Sequence, residues 1–298
     1  MAKELSNLKV VQQLERNVTK QHVHTEIIDD MEDTFQIGTV AQYMNLLTLP
    51  GASCGFESSL LNSGTRVAKY VQNMVMLEAK PEVFQVLRRN AKHLRASHPN
   101  VNITPYNMDD CRFMMPNNIG RKNSKAHAAA DQSLRDGFDC IWLDYMSPWC
   151  AATDLGVNNV ARDINRFSRA WEAGRPGLLY FTLSLGQEGK EHMHTLRMCL
   201  NDFELRKYEN NDPIYNIRAR GLAAYLNHLT LPHDAHCVPI RAQYYREFDA
   251  EDQRRKIMYL MGFHVFPGQV RKEEMARILD TFPIRKDFTP ISKYGTTR

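Results

Sequence analysis

Leu46-Leu47-Thr48-Leu49-Pro50-Gly51-Ala52-Ser53-Cys54-Gly55-Phe56-Glu57 joins a short apolar run to a turn of small residues. An apolar run without alternation suits a strand buried on both faces, as in a parallel sheet. Pro50-Gly51 stops it. In Gly51-x-Ser53-x-Gly55 small residues alternate, so the chain can turn tightly and a ligand can approach the backbone. A helix is expected next, with free N–H groups at its start that favour an anionic group. Strand, turn and helix together read as the opening unit of an α/β sheet. In such sheets ligands bind outside the carboxyl ends of the strands.

Outward from this unit, four more apolar runs lie at residues 71–77, 101–106, 138–143 and 178–183, the second run of the series ending at Glu78 and the fourth at Asp144. Helical spacing falls between them. Val83, Val86, Leu87 and Leu94 share one face over residues 82–94. Val160, Ile164, Phe167 and Trp171 do so over 160–171, and Met193, Leu196, Leu200 and Phe203 over 189–203. Alternating strands and helices predict a doubly wound parallel sheet with right-handed crossovers. The last two runs, 236–248 and 256–266, have no helix-length segment between them, so they are expected to form an antiparallel hairpin.

The domain pattern follows. Residues 1–35 read as a helical or irregular extension, with Val10, Val11 and Leu14 at helical spacing, and 36–268 as the main domain. A polar, Ala-rich insertion at 117–137 carries Arg121, Lys122, Lys125, His127 and Arg135. Residues 269–298 read as a short helix from Lys272 to Leu279 and a solvated tail with Arg285, Lys286, Lys293 and Arg298 against Asp287 alone.

The 298 residues suffice for one large α/β domain, and 43% hydrophobic with 24% charged residues is ordinary for a globular protein. No window approaches 18 apolar residues, so no membrane span is expected, and the first residues lack the apolar core of a signal peptide. A cytoplasmic or other reducing location is the expectation. Cys54, Cys111, Cys140, Cys150, Cys199 and Cys237 form no CxxC pair and read as buried free thiols, with no metal site implied. The net charge of +4 permits a phosphate-bearing partner without demanding one.

Five parallel strands closed by an antiparallel pair, with Gly51-x-Ser53-x-Gly55 after the first and Glu78 after the second, resemble the class I S-adenosylmethionine-dependent methyltransferase family. The resemblance covers about residues 36–268. It implies a Rossmann-like three-layer sandwich with a mostly parallel seven-stranded sheet and a C-terminal antiparallel hairpin. It also implies S-adenosylmethionine as cofactor and no metal. Pro50, Gly51, Ser53 and Gly55 would lie along its methionine part. Glu78, with Ala79 beside it, would accept from the ribose hydroxyls, and Asp109 or Asp110 would meet the adenine amino group. Asp144 would lie between cofactor and acceptor, and Tyr145 and Trp149 would stack on a planar substrate. The sequence departs from the family pattern at Ser53, at Pro50 and at Thr48-Leu49, where an acidic residue usually ends the first strand. Tyr145-Met146 also separate Asp144 from Ser147-Pro148-Trp149, unlike the Asp/Asn-Pro-Pro-aromatic motif of amino-base methyltransferases.

The acceptor implied is nucleic acid, DNA or RNA, at a base or ribose. The basic insertion, the basic tail and the aromatics near Asp144 support this. Three alternatives stay open: a methyltransferase of protein or small molecules, a methyltransferase fold kept as a binding or scaffold module, and a nicotinamide-dependent oxidoreductase. The hairpin argues against the last. Each site residue also has a bland reading: Asp109 and Asp110 as helix caps, Glu78 as a first-turn charge, Tyr145 and Trp149 as core aromatics. A serine-hydrolase elbow at Ser53, with His233, His236 or His264, fits poorly because that elbow follows several strands.

Overall fold

The computed structural model describes residues 18–36, 43–50, 54–107, 137–144, 150–151, 158–159, 177–184, 190–205, 214–230, 235–248 and 255–287. The first element is a helix, α1 (Val18–Gln36). Then come β1 (Met44–Thr48), α2 (Gly55–Leu61), α3 (Arg66–Tyr70), β2 (Val71–Leu77), α4 (Pro81–Ser97), β3 (Asn102–Tyr106) and β4 (Cys140–Asp144). A two-residue pair, β5 (Cys150–Ala151) and β6 (Asn158–Asn159), stands apart from the main sheet. The chain continues through β7 (Gly177–Ser184), α5 (Lys190–Asp202), α6 (Ile214–Thr230), β8 (Ala235–Phe248), β9 (Arg255–Pro267), α7 (Lys272–Thr281) and β10 (Arg285–Asp287).

The main sheet has the order β10-β8-β9-β7-β4-β1-β2-β3. β3, β2, β1, β4 and β7 are mutually parallel, and β9 runs antiparallel to both β7 and β8. All seven expected strands are present, and the hairpin forms as read from the sequence. The tail differs from expectation: Arg285–Asp287 adds an eighth, parallel strand beside β8. Basic residues are common on exposed sheet edges, so the charge run that reads as solvated tail also serves as an edge strand. The 160–171 helix and the 117–137 insertion, except for Gly137, lie outside the described residues.

Two hydrophobic layers sandwich the sheet. One face meets α1, α2, α3 and α4 through Val23, Ile27, Met31, Phe56, Leu60, Val67 and Leu87. The other meets α5, α6 and α7 through Leu196, Leu200, Leu222, Ala223, Met275 and Leu279. Strands buried on both sides explain the unalternating runs: every residue of β7 is buried. Helix α6 was not legible in the sequence. Arg218, Arg220 and Asn227 break its apolar pattern, yet all three are buried. Arg220 donates to the carbonyls of Leu279 and Phe282, closing the end of α7. Asn227 exchanges hydrogen bonds with the Cys237 backbone, donating at 2.7 Å and accepting at 2.9 Å. α6 crosses α5 so closely that a Cβ on Gly221 would stand 2.8 Å from the Leu196 Cβ.

Side chains also fix the strand register. Asn45, Asn73 and Asn102 are partners across β1, β2 and β3. The Asn73 amide donates to Asn45 Oδ1 at 2.8 Å, and the Asn102 amide to Asn73 Oδ1 at 3.1 Å. Arg241 on β8 anchors α1, with a two-pronged contact to Asp30 at 2.6 and 2.7 Å and a further approach to Glu26 at 3.3 Å. Cys54, Cys140, Cys199 and Cys237 are free and buried, as expected, and burial pushes the Cys140 and Cys199 thiols up. Among the described residues no helix is long and apolar enough to cross a membrane, and no group of side chains could hold a metal ion.

Candidate functional site

Strand order reverses between β1 and β4, since β1 leads to β2 on one side and β4 lies on the other. That switch point opens a crevice at the carboxyl edge, where ligands of doubly wound sheets bind. The crevice is bounded by Thr48 and Pro50 after β1, Glu78 after β2, Asn107 after β3 and Asp144 at the end of β4. The Leu49 N–H donates to the Trp142 carbonyl at 3.1 Å, which carries the β1–β4 pairing to the lip of the site.

The turn after β1 takes a different local form from the one read in the sequence. Pro50 is buried. Gly55, expected to serve the turn, is instead the first residue of α2. The left-handed backbone falls on Cys54, with φ 55° and ψ 44°, and its side chain is buried. A non-glycine residue in that region costs about 1–2 kcal/mol. Such strain concentrates where a backbone is held for a ligand. Gly51 and Ser53 lie outside the described residues, as do Asp109, Asp110, Tyr145 and Trp149.

Glu78 is half-buried, and its Oε1 accepts from the Lys80 N–H at 2.7 Å. Burial raises its carboxyl above the usual range, and the Lys80 N–H opposes that rise. The Asn107 side chain donates to the carbonyls of Glu78 and Ala79 at 2.9 and 3.3 Å, tying the ends of β2 and β3 together. Ala79 itself is exposed. Asp144 pairs with Lys20 of α1, Nζ to Oδ2, at 2.7 Å.

Four residues that the sequence reading did not single out complete the site. Glu57, in the first turn of α2, is fully buried, and neither carboxyl oxygen has a hydrogen-bond partner. The Thr48 hydroxyl is buried and equally without a partner. Burial pushes Glu57 up to about 7; the nearby Thr48 hydroxyl, outside hydrogen-bonding geometry, offsets part of this, as does Lys20, while Asp144 adds to it. His24 of α1 packs edge-on against Phe56 and Trp142, with ring centroids 5.6 and 5.3 Å away. Burial, helped by Lys20 and opposed by Asp144, holds His24 down to about 4, so it is neutral at pH 7. Lys20 is the fourth. A signal for all but Thr48 was present: Lys20, His24 and Glu57 stand at helical spacing with Val23, Ile27, Leu60 and Leu61, on stripes that are otherwise apolar.

No protein-family model matches the chain. No curated protein matches it either. Among solved structures, it is similar to a SAM-dependent methyltransferase from Agrobacterium tumefaciens, at 11% identity and TM-score 0.38, over 84% of this chain and 62% of that one. It is also similar to the YcgJ protein from Bacillus subtilis, at 9% identity and TM-score 0.40, over 82% and 98% of the two chains. A third is a protein of the NADB-Rossmann superfamily from Streptococcus agalactiae, at 12% identity and TM-score 0.35, over 83% and 71%. At these values the likenesses carry no functional weight. The fold assignment rests on the strand order itself.

Proposed function

We propose that the chain is an S-adenosylmethionine-dependent methyltransferase acting on nucleic acid, at a base or ribose. One observation carries the reading: β3-β2-β1-β4-β7 run parallel, the sheet closes with an antiparallel hairpin, and an acid, Glu78, follows β2 beside the switch point. An all-parallel dinucleotide-binding sheet lacks that hairpin.

The residues fit the cofactor. The Glu78 carboxyl suits two ribose hydroxyls, since a carboxylate accepts several hydrogen bonds. The Glu57 oxygens and the Thr48 hydroxyl, buried without partners, are acceptors in want of a donor. The bound cofactor supplies a methyl group on a sulfonium, and the protein's task is to align donor and acceptor. Asp144 is placed to accept a hydrogen bond from an acceptor amine or hydroxyl at the end of β4.

A nucleic-acid acceptor draws support from charge and placement. β10 runs parallel to β8, so the chain after Asp287 leaves the sheet at the carboxyl edge, on the side of the crevice. Lys293 and Arg298 follow, and Arg121, Lys122 and Lys125 precede β4 in sequence. Such cations suit a phosphate backbone.

Calorimetric titration with S-adenosylmethionine tests the cofactor. Glu78→Ala is expected to weaken binding by about 1.5–3 kcal/mol, the worth of a hydrogen bond to a charged group. No binding by the wild-type protein at millimolar cofactor sinks the reading. Transfer of a labelled methyl group to RNA, DNA or protein then separates the acceptors. A second reading, a binding module without transfer, is favoured by the Lys20–Asp144 pair, which occupies the carboxylate an acceptor would use. Cofactor binding with no transfer to any of the three is its signature.

A further inference from the structure

Glu57 has no part in the reading above. It is fully buried, and an unpartnered buried carboxyl costs several kcal/mol on transfer arguments. Protonation relieves the charge but leaves a hydroxyl donor and a carbonyl acceptor still unmatched. For packing alone, an apolar residue of similar volume serves better. Unsatisfied buried groups in folded proteins call for an explanation, and a ligand is one.

The surroundings name the kind of ligand. The Thr48 hydroxyl, buried beside Glu57 at the end of β1, also lacks a partner. Around the carboxyl, α1 presents Lys20 and neutral His24, and β4 presents Asp144. Lys20 is held by Asp144 at 2.7 Å, so its charge is matched by that pair. On α3, Arg66 and Lys69 are exposed. The cluster therefore holds two acids and one described cation, and the missing partner is a positively charged donor. The left-handed turn at Cys54, next to α2, places this pair at the point where the chain bends around the ligand.

We infer that Glu57 and Thr48 form an ammonium subsite, which takes the α-amino group of the cofactor's amino-acid part. This rests on the methyltransferase reading and supplies from α2 the acid that β1 lacks at Thr48-Leu49. Arrival of the cation favours the ionised carboxyl, so a proton leaves Glu57 as the ligand binds.

The test uses the full chain and two ligands in calorimetry near pH 7. S-adenosylhomocysteine carries the amino-acid part; 5′-methylthioadenosine keeps the nucleoside and sulfur but lacks it. Glu57→Gln is expected to weaken S-adenosylhomocysteine about tenfold or more, as for loss of a charged hydrogen bond, and to leave methylthioadenosine unchanged. Retained methylthioadenosine binding also shows that the variant is folded. In buffers of different ionisation heat, wild-type protein is expected to release protons on binding S-adenosylhomocysteine but not methylthioadenosine. Equal losses for both ligands, an unchanged S-adenosylhomocysteine affinity, or no proton release each overturns the subsite while leaving the cofactor assignment standing. Failure of wild-type protein to bind either ligand overturns the methyltransferase reading and the subsite with it.

Discussion

Lys20 Nζ lies 2.7 Å from Asp144 Oδ2, with side-chain exposures of 13% and 7%. The pair joins the first described helix to the carboxyl end of β4, so α1 is a wall of the crevice as well as a cover for the sheet. Arg241 holds the same helix further along, through Asp30 and Glu26. The position of Lys20 over the site is thus set by a contact with β8 at the far side of the sheet order.

Lys20→Met strands a largely buried carboxylate, and loss of one partner of such a pair costs about 3–5 kcal/mol. The double variant Lys20→Met/Asp144→Asn, which removes the charge, is expected to recover most of that loss. Urea unfolding of the two variants and wild type checks it; a Lys20→Met loss below about 1 kcal/mol marks the pair as no stronger than an exposed one.

The pH dependence of stability contains two opposing contributions. Glu57 is raised to about 7 from 4.5, so its contribution to stability is full below pH 4.5 and is lost as pH rises through 7. His24 is lowered to about 4 from 6.5, so its contribution is full above pH 6.5 and is lost as pH falls through 4. Each shift of about 2.5 units corresponds to about 3 kcal/mol, and the windows overlap between about pH 4.5 and 6.5. Wild type is therefore expected to vary little there on account of these two groups. Glu57→Gln exposes the acid-side loss and is more stable than wild type at pH 8; His24→Leu exposes the alkaline-side loss. Thermal melts from pH 4 to 8 read both slopes, and parallel curves for all three proteins contradict the assignment.

Asn73 is the middle rung of the Asn45–Asn73–Asn102 ladder. Asn73→Ala removes two hydrogen bonds at about 1 kcal/mol each. The expected loss in urea unfolding is about 1–2 kcal/mol, and the end variant Asn102→Ala, which removes one of them, is expected to lose less.

Gly221→Ala places a methyl 2.8 Å from the Leu196 Cβ, and the Leu196 carbonyl oxygen at 3.1 Å leaves little room to yield. In a free helix the change favours folding by about 0.5–1 kcal/mol. Between α5 and α6 the clash is expected to reverse that sign, at a net cost of about 1–3 kcal/mol. Leu196→Ala in the same background is expected to return part of the loss, which distinguishes crowding from an effect on α6 alone.

Much of the architecture was legible from the sequence. The runs ending at Glu78 and Asp144 gave two strand ends and two acids that the structure brings to one edge. The gap between residues 248 and 256, too short for a crossover helix, gave the hairpin. Both readings rest on local chemistry, because a strand buried on two faces must be apolar throughout and a short connection must be antiparallel. The same local logic failed where a polar residue is buried. Arg218, Arg220 and Asn227 concealed α6, and Glu57, His24 and Lys20 passed as surface charges.

By itself, then, the sequence determined which segments are strands, which are helices and where the strands end, since hydrophobic periodicity and turn chemistry act over a few residues. Only the tertiary structure decided that β10 joins the sheet, that Asn45, Asn73 and Asn102 line up, and that Lys20, Glu57 and Thr48 gather at the switch point with Asp144. Those relationships depend on distance between residues remote in the chain. Burial, which shifts Glu57 and His24 in opposite directions, is a property of that packing and of no single stretch of sequence.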